Sequence, residues 1–539
     1  MAQRKTDGST VGLTGSVLGS EARSDRASAP APTLTILYHP NLRRIGDFVC
    51  LNELALGREV PLSRYQPDLV RPGQLVGEPV ADSYISRRPI SLRAAPDEGI
   101  EIVLGDSRTG LVAQGNAVQQ GCTFTAGDLE RGVVLELSAR VVLLLHKAGA
   151  LPIRVPPRFG LIGDSGGMVR VRADIQRVAD LEVPVLLRGE TGTGKELAAR
   201  AIHEASTRRN GVFLAVNLGA IPATLSASEL FGSIKGAFTG SVASQDGYFR
   251  RAHGGTLFLD EIGEAPPEVQ VMLLRALETG EIFPVGSQTA QRVDVRVIAA
   301  TDSDLEGKVR SGSFRAPLLH RLAGYEIWLP PLRERRDDVG RLLLQFLREE
   351  VARIGEPWRL DPDDPSSDPL WLRPHLVARL ARYDWPGNVR QLRNVARQLV
   401  IGSRGLAHLE IGAAVERLLR EGVDPGTDSR PALDPSGSGA HRPSREWRKP
   451  SDIGEDELLS ALRLNRWDLK ATSDYLRVSR TSLYALIESC SRVRTAADLS
   501  AEEIARCHGE CGGNLGAMAE RLEVSKRALG RRLREMGLG

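Results

Sequence analysis

The sequence predicts a multidomain protein: an all-β sandwich, then an α/β domain with a helical companion, then an all-α C-terminal region. Three observations predict this order. Between Leu34 and Lys147, apolar residues fall in short alternating runs (T-L-T-I-L-Y, E-I-E-I-V-L, G-V-V-L-E-L, R-V-V-L-L-L-H), separated by turn clusters such as R-P-G and P-D-E-G. Such alternation marks antiparallel strands with one buried face. From about 160 to 325, the strand-like runs V-P-V-L-L-R, T-L-F-L-D and V-R-V-I-A-A-T alternate with helical stretches, the pattern of a parallel layer. Beyond 453 the chain reads as helical and repeats itself at an offset of 46 residues.

Residues 1–32 are rich in Ser, Gly, Ala and Pro and lack apolar periodicity, which predicts a disordered tail. The sandwich is expected over 33–148, and a joint, L-P-I-R-V-P-P-R, leads to the α/β layer over 158–330. A helical region follows over 331–420, then a flexible linker over 421–453. Two helix-turn-helix units are expected over 454–490 and 498–539.

A chain of 539 residues fits about three or four such domains. Its 41% hydrophobic and 26% charged residues are those of a soluble protein with real cores. A net charge of +3 argues neither for nor against nucleic acid. No apolar run is long enough for a membrane span, and M-A-Q-R-K-T-D-G-S-T lacks the apolar stretch of a secretory signal. Five scattered cysteines, Cys50, Cys122, Cys490, Cys507 and Cys511, fit reduced thiols in a cytoplasm. The run C-H-G-E-C at 507–511 lacks a second ligand pair and reads as incidental rather than metal-binding.

The strongest chemical signal is V-P-V-L-L-R-G-E-T-G-T-G-K-E, a strand that ends in a glycine-rich loop and opens a helix at Lys195. Gly189, Glu190, Thr191, Gly192, Thr193, Gly194 and Lys195 form a G-x-x-x-x-G-K phosphate loop, where backbone N–H groups close on phosphate and the lysine reaches its outer oxygens. Glu196 occupies the next position, where the general pattern has a magnesium-ligating Ser or Thr. Downstream, G-G-T-L-F-L-D-E delivers Asp260 and Glu261 at the C-terminal end of an apolar strand, where α/β sheets bind ligands. Asp260 is then the Mg2+ ligand and Glu261 the group that orients or deprotonates water. A third strand, V-I-A-A-T-D, brings Thr301 and Asp302 toward the terminal phosphate. S-F-R-A-P-L-L-H-R-L presents Arg315 and Arg321, either as arginines supplied across a subunit boundary or as plain surface cations. A nucleotide and Mg2+ are the expected ligands of this site.

From L-I-G-D-S-G-G-M to W-P-G-N-V-R-Q-L-R-N, over 161–394, the chain resembles the AAA+ domain of bacterial sigma-54-dependent activators, the enhancer-binding proteins. G-E-T-G-T-G-K-E, S-E-L-F-G, K-G-A-F-T-G, G-T-L-F-L-D-E-I-G-E, F-R-A-P-L-L-H-R-L and L-P-P-L-R-E-R carry the resemblance. It implies a homo-oligomer, dimer to hexamer, with ATP at subunit interfaces and Glu196 as an ordinary family residue. It implies that Asn217 restrains Glu261, that Arg315 and Arg321 act in trans, and that Arg390 is the sensor of the helical lid. Gly236, Ala237, Phe238, Thr239, Gly240 and Ser241 become the loop that touches sigma-54; from spacing alone they read as a turn burying an aromatic ring. Three departures stand out: Asp302 where asparagine is usual, Ser241 for alanine and Gln391 for glutamate.

At the C-terminus, 468–487 can be laid on 514–533, with Leu476/Leu522, Val478/Val524 and Leu483/Leu529 coinciding. Both copies resemble the Fis-type helix-turn-helix, with Arg480, Thr481, Ser482 and Tyr484 in one and Lys526, Arg527 and Arg531 in the other placed to meet DNA. One copy is alternatively a packing partner. The N-terminal sandwich resembles the forkhead-associated (FHA) fold, through L-A-L-G-R, Y-I-S-R-R-P and D-S-R-T-G-L-V-A-Q-G. That implies phosphothreonine recognition by Arg58, Ser86 and Arg87, with Thr109 where an asparagine normally holds the peptide. The expected function is a cytoplasmic bacterial transcription activator that works on sigma-54 RNA polymerase, binds enhancer DNA and answers to a phosphothreonine protein or Ser/Thr kinase. The alternatives are a DNA-binding repressor with impaired ATPase, or another AAA+ remodelling machine.

Overall fold

The computed structural model describes residues 30–74, 76–149, 156–237, 243–361, 363–364 and 371–421, and, within 454–533, residues 454–464, 467, 469–476, 483, 486–487, 490, 499–511, 518–519, 521–524, 529 and 532–533. These fall into two compact units, divided at Asp428/Ser429.

The first unit opens with twelve strands: β1 (Ala31–Tyr38), β2 (Phe48–Cys50), β3 (Val60–Leu62), β4 (Leu69–Val70), β5 (Gly77–Glu78), β6 (Ile90–Ala95), β7 (Gly99–Val103), β8 (Leu111–Ala113), β9 (Asn116–Val118), β10 (Gly121–Phe124), β11 (Val133–Leu137) and β12 (Val141–Ala148). Two short helices, α1 (Asn52–Ala55) and α2 (Ala126–Arg131), sit among them. The strands make two antiparallel sheets, ordered β5-β4-β2-β1-β12-β11-β8-β9 and β10-β7-β6-β3. Leu34, Ile36, Leu92, Ile102, Leu135 and Leu143 belong to the core between them. The first strand starts at Ala31, inside the expected tail.

The expected one-sided burial fails at β1, β11 and β12, which are buried on both faces. Successive residues point to opposite faces of a strand. Val133, Leu135 and Leu137 of β11 and Val141, Leu143 and Leu145 of β12 enter the core between the sheets. Their alternates Val134, Val142 and Leu144 join a second core with the helices at 339–421. The outer face of the large sheet is thus covered by the helical region rather than by water.

The α/β domain carries a five-stranded parallel sheet, ordered β14-β15-β18-β13-β19, from β13 (Val185–Arg188), β14 (Phe213–Asn217), β15 (Thr256–Asp260), β18 (Arg296–Thr301) and β19 (Tyr325–Trp328). A two-stranded ribbon, β16 (Glu281–Ile282) with β17 (Gln291–Arg292), stands apart from it. Helices α3 (Gly166–Val178), α4 (Lys195–Glu204), α5 (Ala223–Phe231), α6 (Tyr248–Arg251), α7 (Pro267–Thr279), α8 (Leu305–Arg310) and α9 (Ala316–Leu322) connect the strands. Its central strands, V-L-L-R, T-L-F-L-D and R-V-I-A-A-T, are buried nearly throughout, as parallel strands covered on both faces must be. The helical region comprises α10 (Val339–Arg353), α11 (Pro374–Arg382), α12 (Asn388–Gly402) and α13 (Ala413–Glu421).

The second unit contains α14 (Glu455–Leu464), α15 (Leu469–Leu476) and α16 (Ala501–Glu510). Burial repeats at the 46-residue offset: Leu458 with Ile504, Ala461 with Cys507, Leu476 with Leu522 and Leu483 with Leu529 are all buried, each set in its own cluster. The repeat therefore reaches back to α14 and α16, earlier than the matched letters. Cys507 stands where the other copy has a core alanine, and among the described residues no cluster of three metal-ligating side chains occurs. No helix among the described residues is long and apolar enough to cross a membrane.

Candidate nucleotide site

The phosphate loop runs from the end of β13 to the first residue of α4, at the C-terminal edge of the parallel sheet. Gly189, Gly192 and Gly194 hold φ of 151°, 80° and 107°, a conformation that only glycine adopts freely. Lys195 is 7% exposed, and its Nζ donates to the carbonyl of Gly189 at 2.8 Å, folding the ammonium over the loop. The Thr193 hydroxyl donates to Glu190 O at 2.7 Å, and Gly189 N donates to Thr301 O at 3.3 Å, tying the loop to β18. Glu196 is exposed and pairs with Arg200 at 3.8 Å along its own helix.

Asp260 closes β15, and its Oδ1 accepts from Glu261 N at 3.0 Å. Glu261 sits at φ 53°, a left-handed position rare for a non-glycine residue and frequent at functional sites. Burial, then the carboxylates of Asp302 and Asp260, push its carboxyl up to about 6, against the opposing pull of Lys195. Asp302 extends from β18 to accept from Thr191 Oγ1 at 2.5 Å, and that hydrogen bond holds its own carboxyl below the usual range. Thr301 is buried and accepts from Ser303 N at 3.0 Å. Asn217, paired in register with Asp260, donates to it at 3.4 Å. Among the described residues it makes no hydrogen bond to Glu261, so the expected Asn217–Glu261 restraint is replaced here by an Asn217–Asp260 contact. The parallel strands explain this: both residues end neighbouring strands at the same level.

Arg315 caps α9, with its backbone N on Gln270 Oε1 at 2.9 Å, and Arg321 lies in the last turn of the same helix. Both are exposed, and among the described residues neither guanidinium pairs with a carboxylate. Arg390, on the first turn of α12, sends its backbone N to Gly192 O at 3.3 Å while its side chain is exposed. Three further groups come from the strings L-P-P-L-R-E-R and W-P-G-N-V-R-Q-L-R-N, whose letters do not indicate the contacts they make here. Arg333 pairs with Glu190 at 2.5 Å, Arg335 donates to Thr193 O at 3.1 Å, and Asn388 reaches both Glu190 and Thr191. An open cleft of about 680 Å3 flanks the loop, bordered by Glu190, Thr301, Asp302, Trp328 and Arg333.

Of the expected sigma-54 contact, Gly236 and Ala237 are described; Phe238, Thr239, Gly240 and Ser241 lie outside the described residues. The base of that loop is pinned by paired bonds between Ser233 and Gln245, at 3.0 and 2.9 Å. All seven expected DNA-contact residues, Arg480, Thr481, Ser482, Tyr484, Lys526, Arg527 and Arg531, also lie outside the described residues.

In the N-terminal sandwich the expected phosphopeptide residues border strands β3 and β6. Strand β3 runs antiparallel to β6, with Val60 opposite Leu92 and Leu62 opposite Ile90. Arg58 precedes β3 at the Leu92 end, and Glu59 next to it pairs with Arg93 at 2.7 Å. Ser86 and Arg87 precede β6 at the Ile90 end, and Arg64, just after β3, meets them there. Its backbone N donates to Ser86 O at 3.2 Å and its Nε to Ile85 O at 3.0 Å. Thr109 is 3% exposed, accepting from Ser86 N at 3.0 Å, so it props up the loop from beneath and offers no surface to a peptide.

The sheet, loop and carboxylate pair define an AAA+ ATPase module. Residues 161–328 match the sigma-54 interaction domain and residues 333–413 the AAA+ ATPase lid domain. The chain is 45% identical over 244 residues to the regulatory protein LuxO of Vibrio cholerae, covering 45% of this chain and 44% of that protein. It is 45% identical over 249 residues to the DNA-binding transcriptional regulator NtrC of Escherichia coli K12, covering 46% and 51%. It is 40% identical over 324 residues to the C4-dicarboxylate transport transcriptional regulatory protein DctD of Rhizobium meliloti, covering 60% and 63%. The chain thus spans about half the length of the curated relatives it matches.

Proposed function

We propose that this chain is a sigma-54-dependent transcription activator, in which an ATP-hydrolysing ring remodels sigma-54 RNA polymerase in a bacterial cytoplasm while the C-terminal repeats hold enhancer DNA. One observation carries the reading: the phosphate loop, the Asp260–Glu261 pair and the pinned 233–245 loop share one domain that matches the sigma-54 interaction domain. ATP phosphates fit the N–H groups of 189–195 with the Lys195 ammonium above them. Asp260 makes no ion pair among the described residues and presents a hard carboxylate at the sheet edge, which suits Mg2+. When bound there, the ion would neutralise phosphate charge. Glu261 accepts the proton of the attacking water at its carboxylate, and Lys195 and the loop amides hold the phosphates. Exposed and, among the described residues, unpaired with any carboxylate, Arg315 and Arg321 suit a nucleotide held by a neighbouring subunit, which supports a homo-oligomer. Glu261→Gln is expected to lower phosphate release by about 10²–10⁴-fold while ATP still binds. Wild-type turnover in that variant would remove Glu261 from the reaction, and ATP-independent open-complex formation on a sigma-54 promoter would remove the activator reading.

The sandwich supports an FHA-like reader of a phosphothreonine protein or Ser/Thr kinase. Its site lies at the 83–89 loop, where exposed Arg87 stands beside Arg64 and Ser86. Arg64→Ala and Arg87→Ala should each weaken a phosphothreonine peptide by about tenfold, the loss of one charge-assisted contact. Arg58→Ala should not. Fluorescence anisotropy with phosphorylated and plain peptides reads this; equal binding of the two peptides would end the phosphothreonine assignment.

A further inference from the structure

We infer that Asn388 is a positioning residue that latches the phosphate loop to the helical lid, so that the loop holds its nucleotide-ready shape only while the lid is seated. The inference rests on reading 189–195 as the nucleotide site and adds to it a residue that touches no nucleotide itself. Asn388 is fully buried and is the first residue of α12, at φ 51°. That left-handed backbone turns its side chain back toward the loop, a conformation asparagine tolerates better than most residues.

Both ends of its amide are committed. Oδ1 accepts from Leu332 N at 2.7 Å, fixing the side chain to the segment that leads into the lid. Nδ2 donates to Glu190 Oε2 at 3.0 Å and to Thr191 O at 3.1 Å, two consecutive residues of the loop. These bonds do two things for an anion site. The Thr191 carbonyl is held toward the lid, which orients the following peptide. The Glu190 carboxylate, which would repel phosphate, is held on Asn388 and neutralised by Arg333 at 2.5 Å. The contact is close on the backbone as well. A Cβ on Gly192 would lie 2.5 Å from Gly387 O, and Arg390 N donates to Gly192 O at 3.3 Å. Loop and lid therefore cannot shift independently at this point without breaking buried hydrogen bonds.

Asn388→Asp tests it in the full-length chain, because it keeps shape and backbone while placing a carboxylate against Glu190 and the Thr191 carbonyl. Its affinity for both ATP and ADP should fall by about tenfold, measured by isothermal titration. Glu190→Gln combined with Asn388→Asp exchanges donor and acceptor across the contact with residue 190, though not that with Thr191 O, and should recover part of that loss. A residue that merely stabilises the lid would not be rescued from the loop side. Hydrogen exchange on nucleotide-free protein gives a second readout: amides of 192–195 should exchange faster in Asn388→Asp and return in part in the double variant. Unchanged exchange and affinity in Asn388→Asp, or a double variant no better than the single, overturns the latch. If the wild type binds neither ATP nor ADP, the nucleotide reading fails instead, and the exchange comparison still decides the latch.

Discussion

Lys195→Ala is expected to lose ATP binding by on the order of 10²-fold or more while the chain stays folded. The loop offers phosphate two kinds of partner, backbone N–H groups and one cation. The N–H groups remain after the substitution, carried by a loop whose course is set by its glycines at 189, 192 and 194. The cation does not survive. Lys195 is 7% exposed and among the described residues bonds to Gly189 O at 2.8 Å, so its charge is held at low dielectric for an incoming anion. Replacing it removes the loop's own positive charge and leaves Asp260, Glu261 and Asp302 facing the phosphates. Titration with ATP checks this, with Glu261→Gln as the variant that keeps binding. Wild-type affinity in Lys195→Ala would show that 189–195 is not the phosphate cradle.

That loop was legible in the sequence because its chemistry is local: glycine spacing, a strand before and a helix after. Asp260 and Glu261 were legible for the same reason, at the end of an apolar run. Asn388 lies in the string W-P-G-N-V-R-Q-L-R-N, but its contact with Glu190 was not legible, since the two stand 198 residues apart in the chain. In the sandwich, matching letters favoured Arg58 in L-A-L-G-R, whereas the β3–β6 register places Arg64 in L-S-R beside Ser86. Letters near a motif do not reveal which end of a strand they occupy; pairing does. The covered outer face of the large sheet did leave a trace. G-V-V-L-E-L and R-V-V-L-L-L-H are too continuously apolar for a sheet with one wet face, and their excess residues, Val134, Val142 and Leu144, are those in the lid core.

That shared core yields an expected result whose sign runs against helix propensity. Gly340 lies on the first turn of α10, and glycine-to-alanine changes inside helices ordinarily stabilise by about 1 kcal/mol. Here a Cβ would fall 2.2 Å from the carbonyl oxygen of Leu37 and 2.9 Å from its carbon, both backbone atoms of β1. Both belong to the main chain at the irregularity between the Ile36–Leu143 and Tyr38–Val142 pairs, and those flanking pairs to β12 limit how far they can move. The helix must lift, and the lift strains its neighbours. Arg341 donates to Gly46 O at 2.7 Å and ion-pairs with Asp164, joining lid, sandwich and α/β domain at one residue. Gly340→Ala should therefore destabilise by about 1–3 kcal/mol, the usual cost of overpacking. Over a sandwich and lid of this size, the melting temperature should fall by roughly 3–10 °C. Calorimetry should place the loss in the transition shared by sandwich and lid, and nucleotide should restore less of it than for a wholly independent ATPase domain. A Gly340→Ala protein as stable as the wild type, or more so, would mean that β1 is not seated on α10 in solution.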